Sequence, residues 1–128
     1  MERRGLEACK RVAYYEYDFA VDGGAVGDIT LRGEGLPEGA IVTDGKIHVL
    51  TAITSGGSAT AALKIESAAD VLTATAKTSF TLNAILDIVP VRTAATAIRV
   101  TAAGNKPVMT VAVAALTAGK FILAVEYY

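Results

Sequence analysis

The sequence has very little of the chemistry that enzymes and metal proteins use. Its 128 residues include one histidine (His48), one cysteine (Cys9) and no tryptophan, and no groups stand at the spacing of a recognisable catalytic or metal-binding motif. Aromatic residues make up only 6% of the chain. A single cysteine cannot form an internal disulfide, which fits a reducing compartment. We therefore expect a protein that is not an enzyme and needs no cofactor or metal.

The chain also has no charge excess and no long apolar run. Its formal net charge is −1, so it lacks the basic surplus that binding nucleic acid over a whole domain requires. The N-terminus lacks the apolar core of a signal peptide. No apolar run approaches the roughly 20 residues of a membrane-spanning helix. We expect a soluble product made in the cytoplasm, with neither nucleic acid nor membrane as a partner.

What the sequence does contain is short, alternating apolar runs separated by glycine-rich turns. Hydrophobic residues make up 52% of the chain, which excludes global disorder. Residues 11–21 alternate with a period of two, as does the last strand-like run, and this pattern predicts half-buried strands. The residues expected on one face are Ala13, Tyr15, Tyr17, Phe19 and Val21 in the first run, and Phe121, Leu123, Val125 and Tyr127 in the last.

Eight or nine such runs, roughly 8–12 residues apart, predict an antiparallel two-sheet sandwich or a barrel. Asp44-Gly45 predicts a tight hairpin or a bulge, and residues 66–77 fit either a helical turn capped by Ser67 or a loop. We expect an N-terminal arm over residues 1–10 and one β-sandwich domain over 11–128. The other predicted strands are Gly27–Arg32, Ala40–Thr43, Lys46–Thr54, Ala59–Ile65, Thr78–Leu86, Ala97–Ala102, Val108–Leu116 and Lys120–Tyr127.

The candidate chemical groups are better explained as structural. His48 has no nucleophile or carboxylate at motif spacing, and Cys9 has no histidine in its segment. The glycine-rich stretches at 33–39 and 55–58 lack the Lys-Ser/Thr ending of a phosphate-binding loop. Acidic residues beside early glycines could offer oxygen ligands to calcium, but ordinary turn chemistry explains them equally well; they are Asp18, Asp22, Asp28, Glu34 and Glu38.

Contact with a partner is the remaining role for the unusual residues. The first ten residues interleave basic and acidic side chains, which fits either a frayed terminus or an arm that docks on a neighbour. Aromatic residues concentrate at the two ends of the domain's sequence, where packing is the simpler explanation and a ligand platform the alternative. The candidate partner-binding residues are Arg3, Arg4, Lys10, Arg11, Tyr14, Tyr127 and Tyr128.

Four segments carry a resemblance to a known class of protein. They are residues 17–27 (YDFAVDGGAVG), 36–42 (LPEGAIV), 51–60 (TAITSGGSAT) and 115–121 (ALTAGKF). Together they resemble small structural proteins encoded in the virion modules of tailed bacteriophages and prophages. The likeness runs from about Tyr14 to the C-terminus and does not include the first ten residues.

The resemblance implies a jelly-roll-like sandwich that acts without catalysis. It implies a capsid decoration (cement) protein on the virion surface, bound to the major capsid protein lattice as a homo-oligomer, in the first instance a homotrimer. A tail, adaptor or fibre-base protein is the alternative within a virion. A carbohydrate-binding β-sandwich module is the alternative outside it.

Overall fold

The computed structural model describes residues 11–128, which form two antiparallel sheets packed face to face. The strands are β1 (Arg11–Asp18), β2 (Gly27–Thr30), β3 (Arg32–Gly33), β4 (Ile41–Ser55), β5 (Thr60–Lys64), β6 (Leu72–Ala76), β7 (Ile85–Asp87), β8 (Ile98–Arg99), β9 (Val108–Ala112) and β10 (Leu116–Tyr127). A helical turn, α1 (Phe19–Asp22), and a 3₁₀ turn (Lys77–Ser79) complete the elements.

The two sheets differ in size. The six-stranded sheet has the order β3-β1-β10-β4-β7, with β8 also paired to β4. The four-stranded sheet has the order β2-β9-β5-β6. This arrangement confirms the predicted all-β class and the two-sheet antiparallel, jelly-roll-like sandwich.

The long strands β4 and β10 pair along most of their length and form the centre of the larger sheet. Their register runs from Tyr127 opposite Val42 to Leu116 opposite Ser55, with several shifts. The hairpin considered at Asp44-Gly45 is therefore wrong, because β4 runs straight through it. A register shift beside it, between Glu126 and Tyr127, agrees with the alternative of a bulge.

The core lies between the sheets and includes the inward-facing residues of β1 and β10. Ala13, Tyr15 and Tyr17, predicted to share one face of a strand, are buried, and so are Phe121, Leu123 and Val125 on β10. The Phe121 ring lies 5.4 Å from that of Tyr17 and 6.2 Å from that of Phe80. Tilted ring pairs at these distances add to the free energy of burial, so the few aromatic side chains are concentrated at one place in the core.

The first predicted strand ends earlier than its alternation suggested. The chain turns into α1 after Asp18, whose carboxylate accepts a hydrogen bond from the Ala20 amide at 3.0 Å. The Asp22 carboxylate accepts one from the Asp18 amide at 2.9 Å. These local bonds offer the backbone an alternative to the ladder. Phe19 is consequently only half-buried and Val21 is 65% exposed, so the prediction that they continue the strand face of Ala13, Tyr15 and Tyr17 was wrong.

Residues 66–76 form a loop and strand β6, Lys77 begins the 3₁₀ turn, and the helical turn capped by Ser67 is absent. The Asp70 carboxylate accepts hydrogen bonds from the amides of Ile65, Glu66 and Ser67 at 2.8–3.0 Å. Asp70 is 4% exposed, and its carbonyl accepts from the Val91 amide at 2.8 Å. The Asp70 side chain therefore holds the loop together through hydrogen bonds, and the Asp70 carbonyl links the loop to the segment after β7.

Other predicted strands are shorter or divided. The predicted strand 27–32 becomes β2 and β3, and buried Leu31 lies where the chain crosses between the sheets. Strand 108–116 ends at Ala112, and residues 117–119, predicted as a turn, belong to β10. Of residues 78–86 only Ile85 and Leu86 are in a strand, and of 97–102 only β8. Packing between the sheets, rather than local alternation, sets these boundaries.

Candidate interaction surfaces

The candidate catalytic and metal-binding groups do not converge in the described part of the chain. His48 is exposed on the outer face of the six-stranded sheet, opposite Ile122 on one neighbouring strand and Ile85 on the other. Within residues 11–128, no group of three His, Cys, Asp or Glu side chains could hold a metal ion. Cys9 lies outside the described residues. No helix in the described range is long and apolar enough to cross a membrane.

The acidic residues of the early turns bind protein groups. Asp22 accepts from the Arg32 guanidinium at 3.0 Å. Asp28 accepts from the Lys64 ammonium and the Thr110 hydroxyl, both at 2.8 Å. The hydrogen bond from Lys64, and then that from Thr110, lowers the pKa of Asp28. Glu34 and Glu38 are exposed in the loop after β3. In the described structure the aspartates of this group therefore bond to turn amides or form ion pairs, and the two glutamates lie in an exposed loop.

The predicted partner-binding residues are partly brought together. Arg11 pairs with Tyr127 across β1 and β10. Tyr128 exchanges two backbone hydrogen bonds with Ile41, at 3.0 and 3.2 Å. Tyr14, 61% exposed, lies further along β1, on the outer face of the sheet. Arg3, Arg4 and Lys10 lie outside the described residues.

The aromatic residues of β1 do not form a continuous ligand platform. Tyr15 and Tyr17 are buried in the core. Burial raises the pKa of each to about 12. The Tyr17 hydroxyl donates to the Gly23 carbonyl at 2.7 Å, whereas the Tyr15 hydroxyl is buried without a hydrogen-bond partner among the described residues. Packing accounts for these two rings, and Tyr14 alone of the three points outward.

The outer face of the six-stranded sheet combines exposed apolar side chains with paired charges. Tyr14 lies opposite Ala124, Ala124 opposite Lys46, and Lys46 opposite Asp87. Lys46 forms an ion pair with Asp87, and this hydrogen bond raises the pKa of Lys46. Glu16 lies 3.4 Å from Arg32 and 3.6 Å from Lys120. The exposed apolar residues on this face include Val12, Tyr14 and Ile85.

A second surface, which no pattern in the sequence predicts, lies at the end of the sandwich remote from Arg11. We call it the apolar tip and define it as the loops 23–26, 55–58 and 113–115. The Leu116 amide donates to the Gly24 carbonyl at 2.7 Å, and the Ser55 hydroxyl donates to the Ala115 carbonyl at 2.7 Å. A Cβ on Gly57 would lie 2.9 Å from that of Ala114. The loops are therefore in direct contact.

The apolar tip exposes valines and has no charged residue in its loops. Val113 is 73% exposed and Val26 59% exposed, and the pairing of Gly27 with Val111 places Val26 next to the end of β9. Two charged groups beside these loops are already bonded: Lys77 donates to the Ser55 carbonyl at 2.9 Å, and Asp22 binds Arg32. The absence of charge was visible in the sequence, but the proximity of the loops was not.

Val113 is held in a strained conformation. Its φ is +74°, and the Ala114 amide donates to the Ala112 carbonyl at 2.9 Å across it. This is a γ-turn of the rare, positive-φ kind. A β-branched residue is an outlier in that region of φ and ψ, at a cost of about 1–3 kcal/mol. The fold thus presents a large apolar side chain at a position where glycine would be relaxed.

The fold is similar to that of chains in three solved bacteriophage capsids. One, in the capsid asymmetric unit of cyanophage Pam1, is 20% identical, with a TM-score of 0.68 over 100% of this chain and 90% of that one. A second, in the acid-stable capsid of Helicobacter pylori bacteriophage KHP30, is 18% identical, with a TM-score of 0.61 over 95% and 89%. A third, in the capsid of Ralstonia phage GP4, is 18% identical, with a TM-score of 0.56 over 95% and 87%.

The comparisons establish the fold. No protein-family model matches the sequence, and no curated protein matches it. The resemblance to virion structural proteins of tailed bacteriophages, first indicated by four short segments, is confirmed at the level of the fold by the three capsid structures.

Proposed function

We propose that this chain is a non-enzymatic structural component of a bacteriophage capsid, and more specifically a decoration protein that binds the major capsid protein lattice from outside. The observation that carries the proposal is the fold, which matches chains of three phage capsids over 95–100% of its own length and 87–90% of theirs. A match over nearly the full length of both chains indicates the same kind of unit rather than a shared fragment.

The surface chemistry supports a role in adhesion. A decoration protein needs a rigid scaffold and sizeable, partly apolar contact areas. The six-stranded sheet presents Tyr14 and Ile85 on its outer face, beside the ion pairs of Lys46 with Asp87 and of Glu16 with Arg32 and Lys120. A partner therefore need not strip water from unpaired charges at these positions, which is the costly part of burying a polar surface. Tyrosine is among the residues most often dominant in binding energy.

We propose that Arg11, Tyr14, Tyr127 and Tyr128 contact the capsid lattice, together with Arg3, Arg4 and Lys10 from the first ten residues. The proposed stoichiometry is a homotrimer on the capsid surface. Arg11 and Tyr127 are cross-strand partners at one end of the larger sheet, and Tyr14 lies opposite Ala124 on the same strand pair. One lattice surface could contact this end and the adjacent outer face together.

The test is binding to capsid shells that lack the protein. Purified protein is added to empty heads of the phage that encodes it, and the particles are imaged by cryo-electron microscopy and heated. We expect added density at repeated lattice positions and a higher temperature of shell disruption. Density on tails or at the portal would instead favour a tail, adaptor or fibre-base protein, and no density on any particle would overturn the proposal.

A matched pair of variants tests the surface. Tyr14→Ala removes an exposed ring from the outer face of the six-stranded sheet, and we expect at least a tenfold loss of shell binding if it lies at the centre of the contact. Thr73→Ala alters an exposed residue of β6, in the other sheet, and should leave binding unchanged. Equal binding by both variants would remove Tyr14 from the proposed contact.

A further inference from the structure

We propose that the apolar tip is the contact between copies of this chain around a symmetry axis, with Val113 at its centre. The inference rests on the proposed function, because that function places several copies of the chain in one assembly. It assigns a surface that lies at the opposite end of the sandwich from the residues proposed to contact the lattice.

The first argument is the exposure of apolar side chains on a connected scaffold. Val26 and Val113 are 59% and 73% exposed, and Val21, 65% exposed, lies in α1, which packs against β10. The loops below them are joined by the hydrogen bonds to Gly24 and Ala115 and by the close approach of Gly57 to Ala114. Isolated exposed valines need no explanation, but a cluster on fixed loops indicates a contact site.

The second argument is strain. Positive φ at Val113 costs folding free energy, and glycine would relieve it. Strain of this kind persists where the exposed side chain contributes something that offsets it. Since Val113 is 73% exposed, its side chain contributes little to the core of its own chain. Because no contact within residues 11–128 compensates for the strain, we infer that another chain supplies it.

The third argument is charge, and it selects a second copy as the occupant. Around a symmetry axis each residue lies near its own equivalent, so any charge there meets a like charge, which costs several kcal/mol. The loops of the apolar tip contain no charged residue. The opposite end carries Arg11 and the facing carboxylates Asp44 and Glu126. That end suits a different partner, whereas the apolar tip suits a copy of itself.

The experiment measures self-association and folding stability in the same variants. Sedimentation equilibrium over a wide concentration range gives the association constant, and urea unfolding of dilute protein gives the stability of the single chain. Val113→Asp places a charge at the proposed axis in a residue type that tolerates positive φ. Val26→Asp does so at the neighbouring loop without touching the γ-turn. We expect at least a hundredfold weaker association for each.

Val113→Gly separates an assembly role from a folding role. It relieves the strain and removes the side chain, so the single chain should become more resistant to urea while association weakens about tenfold or more. A residue that served only the fold would not move these two quantities in opposite directions. The control is Val89→Asp, at a valine of similar exposure, 69%, outside the apolar tip; association should stay within twofold of the wild type.

Three results would overturn the inference: a wild-type chain that stays monomeric at all concentrations, equal association of the Val113→Asp and Val89→Asp variants, or unchanged association of Val113→Gly. The proposed function is tested independently of this inference. A monomer that still decorates empty heads would remove the role of the apolar tip and leave the capsid assignment intact. An oligomer that binds no particle would contradict the capsid assignment and leave the role of the apolar tip intact.

Discussion

Tyr15 and Tyr17 provide a pair of identical substitutions with opposite expected effects. Both rings lie on the inward face of β1, at 1% and 0% exposure. The Tyr17 hydroxyl donates to the Gly23 carbonyl at 2.7 Å, while the Tyr15 hydroxyl is buried without a partner among the described residues. Changing each to phenylalanine removes one oxygen and leaves the packing of the ring in place.

The sign of each effect follows from its hydrogen bond. Tyr17→Phe breaks a bond and leaves the Gly23 carbonyl without it, so we expect a loss of about 1 kcal/mol. Tyr15→Phe removes a hydroxyl that is buried without a hydrogen-bond partner among residues 11–128, and such burial carries a penalty of about 1–3 kcal/mol. Part of the benefit is lost if the fold relaxes around the hydroxyl, so we expect a gain of about 1 kcal/mol. The two variants should differ by about 2 kcal/mol.

Urea unfolding at neutral pH measures this difference. With a slope of about 1–3 kcal/mol per molar urea for a small protein, the midpoints of the two variants should lie about 1 M apart, on either side of the wild type. Equal slopes are the control that the unfolded states are comparable. If both variants lose the same stability, the Tyr15 hydroxyl is satisfied in solution and the reasoning from its burial is refuted.

Three further perturbations test the fold. Asp70→Ala removes a carboxylate that accepts three backbone hydrogen bonds, and it should lower the free energy of unfolding in urea by about 3 kcal/mol. Asp87 is exposed and forms only a surface ion pair, so Asp87→Ala should lower it by less than about 1 kcal/mol. Equal losses in the two variants would contradict this reasoning. Gly45→Ala brings a Cβ to 2.3 Å from the Ala124 carbonyl and should cost about 2 kcal/mol or more, and an unchanged thermal midpoint would contradict it. The two buried tyrosines have pKa values raised from 10.0 to about 12, so their contribution to the free energy of unfolding should be constant from neutral pH to about pH 10, fall from about pH 10 to 12 and then level off. A flat profile between pH 10 and 12 would show that they do not titrate as assigned.

The alternation of β1 and β10 made the core predictable. Side chains of a strand point alternately to its two faces, so the buried positions of both strands follow from the sequence once one position is known. The same rule failed at Phe19 and Val21. There the carboxylates of Asp18 and Asp22 bond to nearby amides and start a helical turn, and such local bonds are not visible as periodicity.

The interaction surfaces were less predictable than the core. The sequence singled out the charged first ten residues as a possible docking arm, and the tyrosines because aromatic residues concentrate at the two ends of the domain's sequence. It gave no reason to select Val113, since β-branched residues disfavour positive φ and the run 108–116 reads as one strand. The contact of three loops distant in sequence depends on sheet topology, which residue patterns alone do not determine.

The paired strands β4 and β10 have a consequence for how the length of this domain can change. They run from the Val42–Tyr127 pair at one end to the Ser55–Leu116 pair at the other, so the two ends of β10 lie roughly 36 Å apart at about 3.3 Å per residue. Their inner residues fill the core, so adding a single residue to one strand would turn the remainder inside out unless a bulge absorbs it, as the register shifts of this pair already do. Where the pairing is regular, lengthening the sheet requires two residues in each strand, a step of roughly 7 Å, so the height of the sandwich grows there in discrete increments.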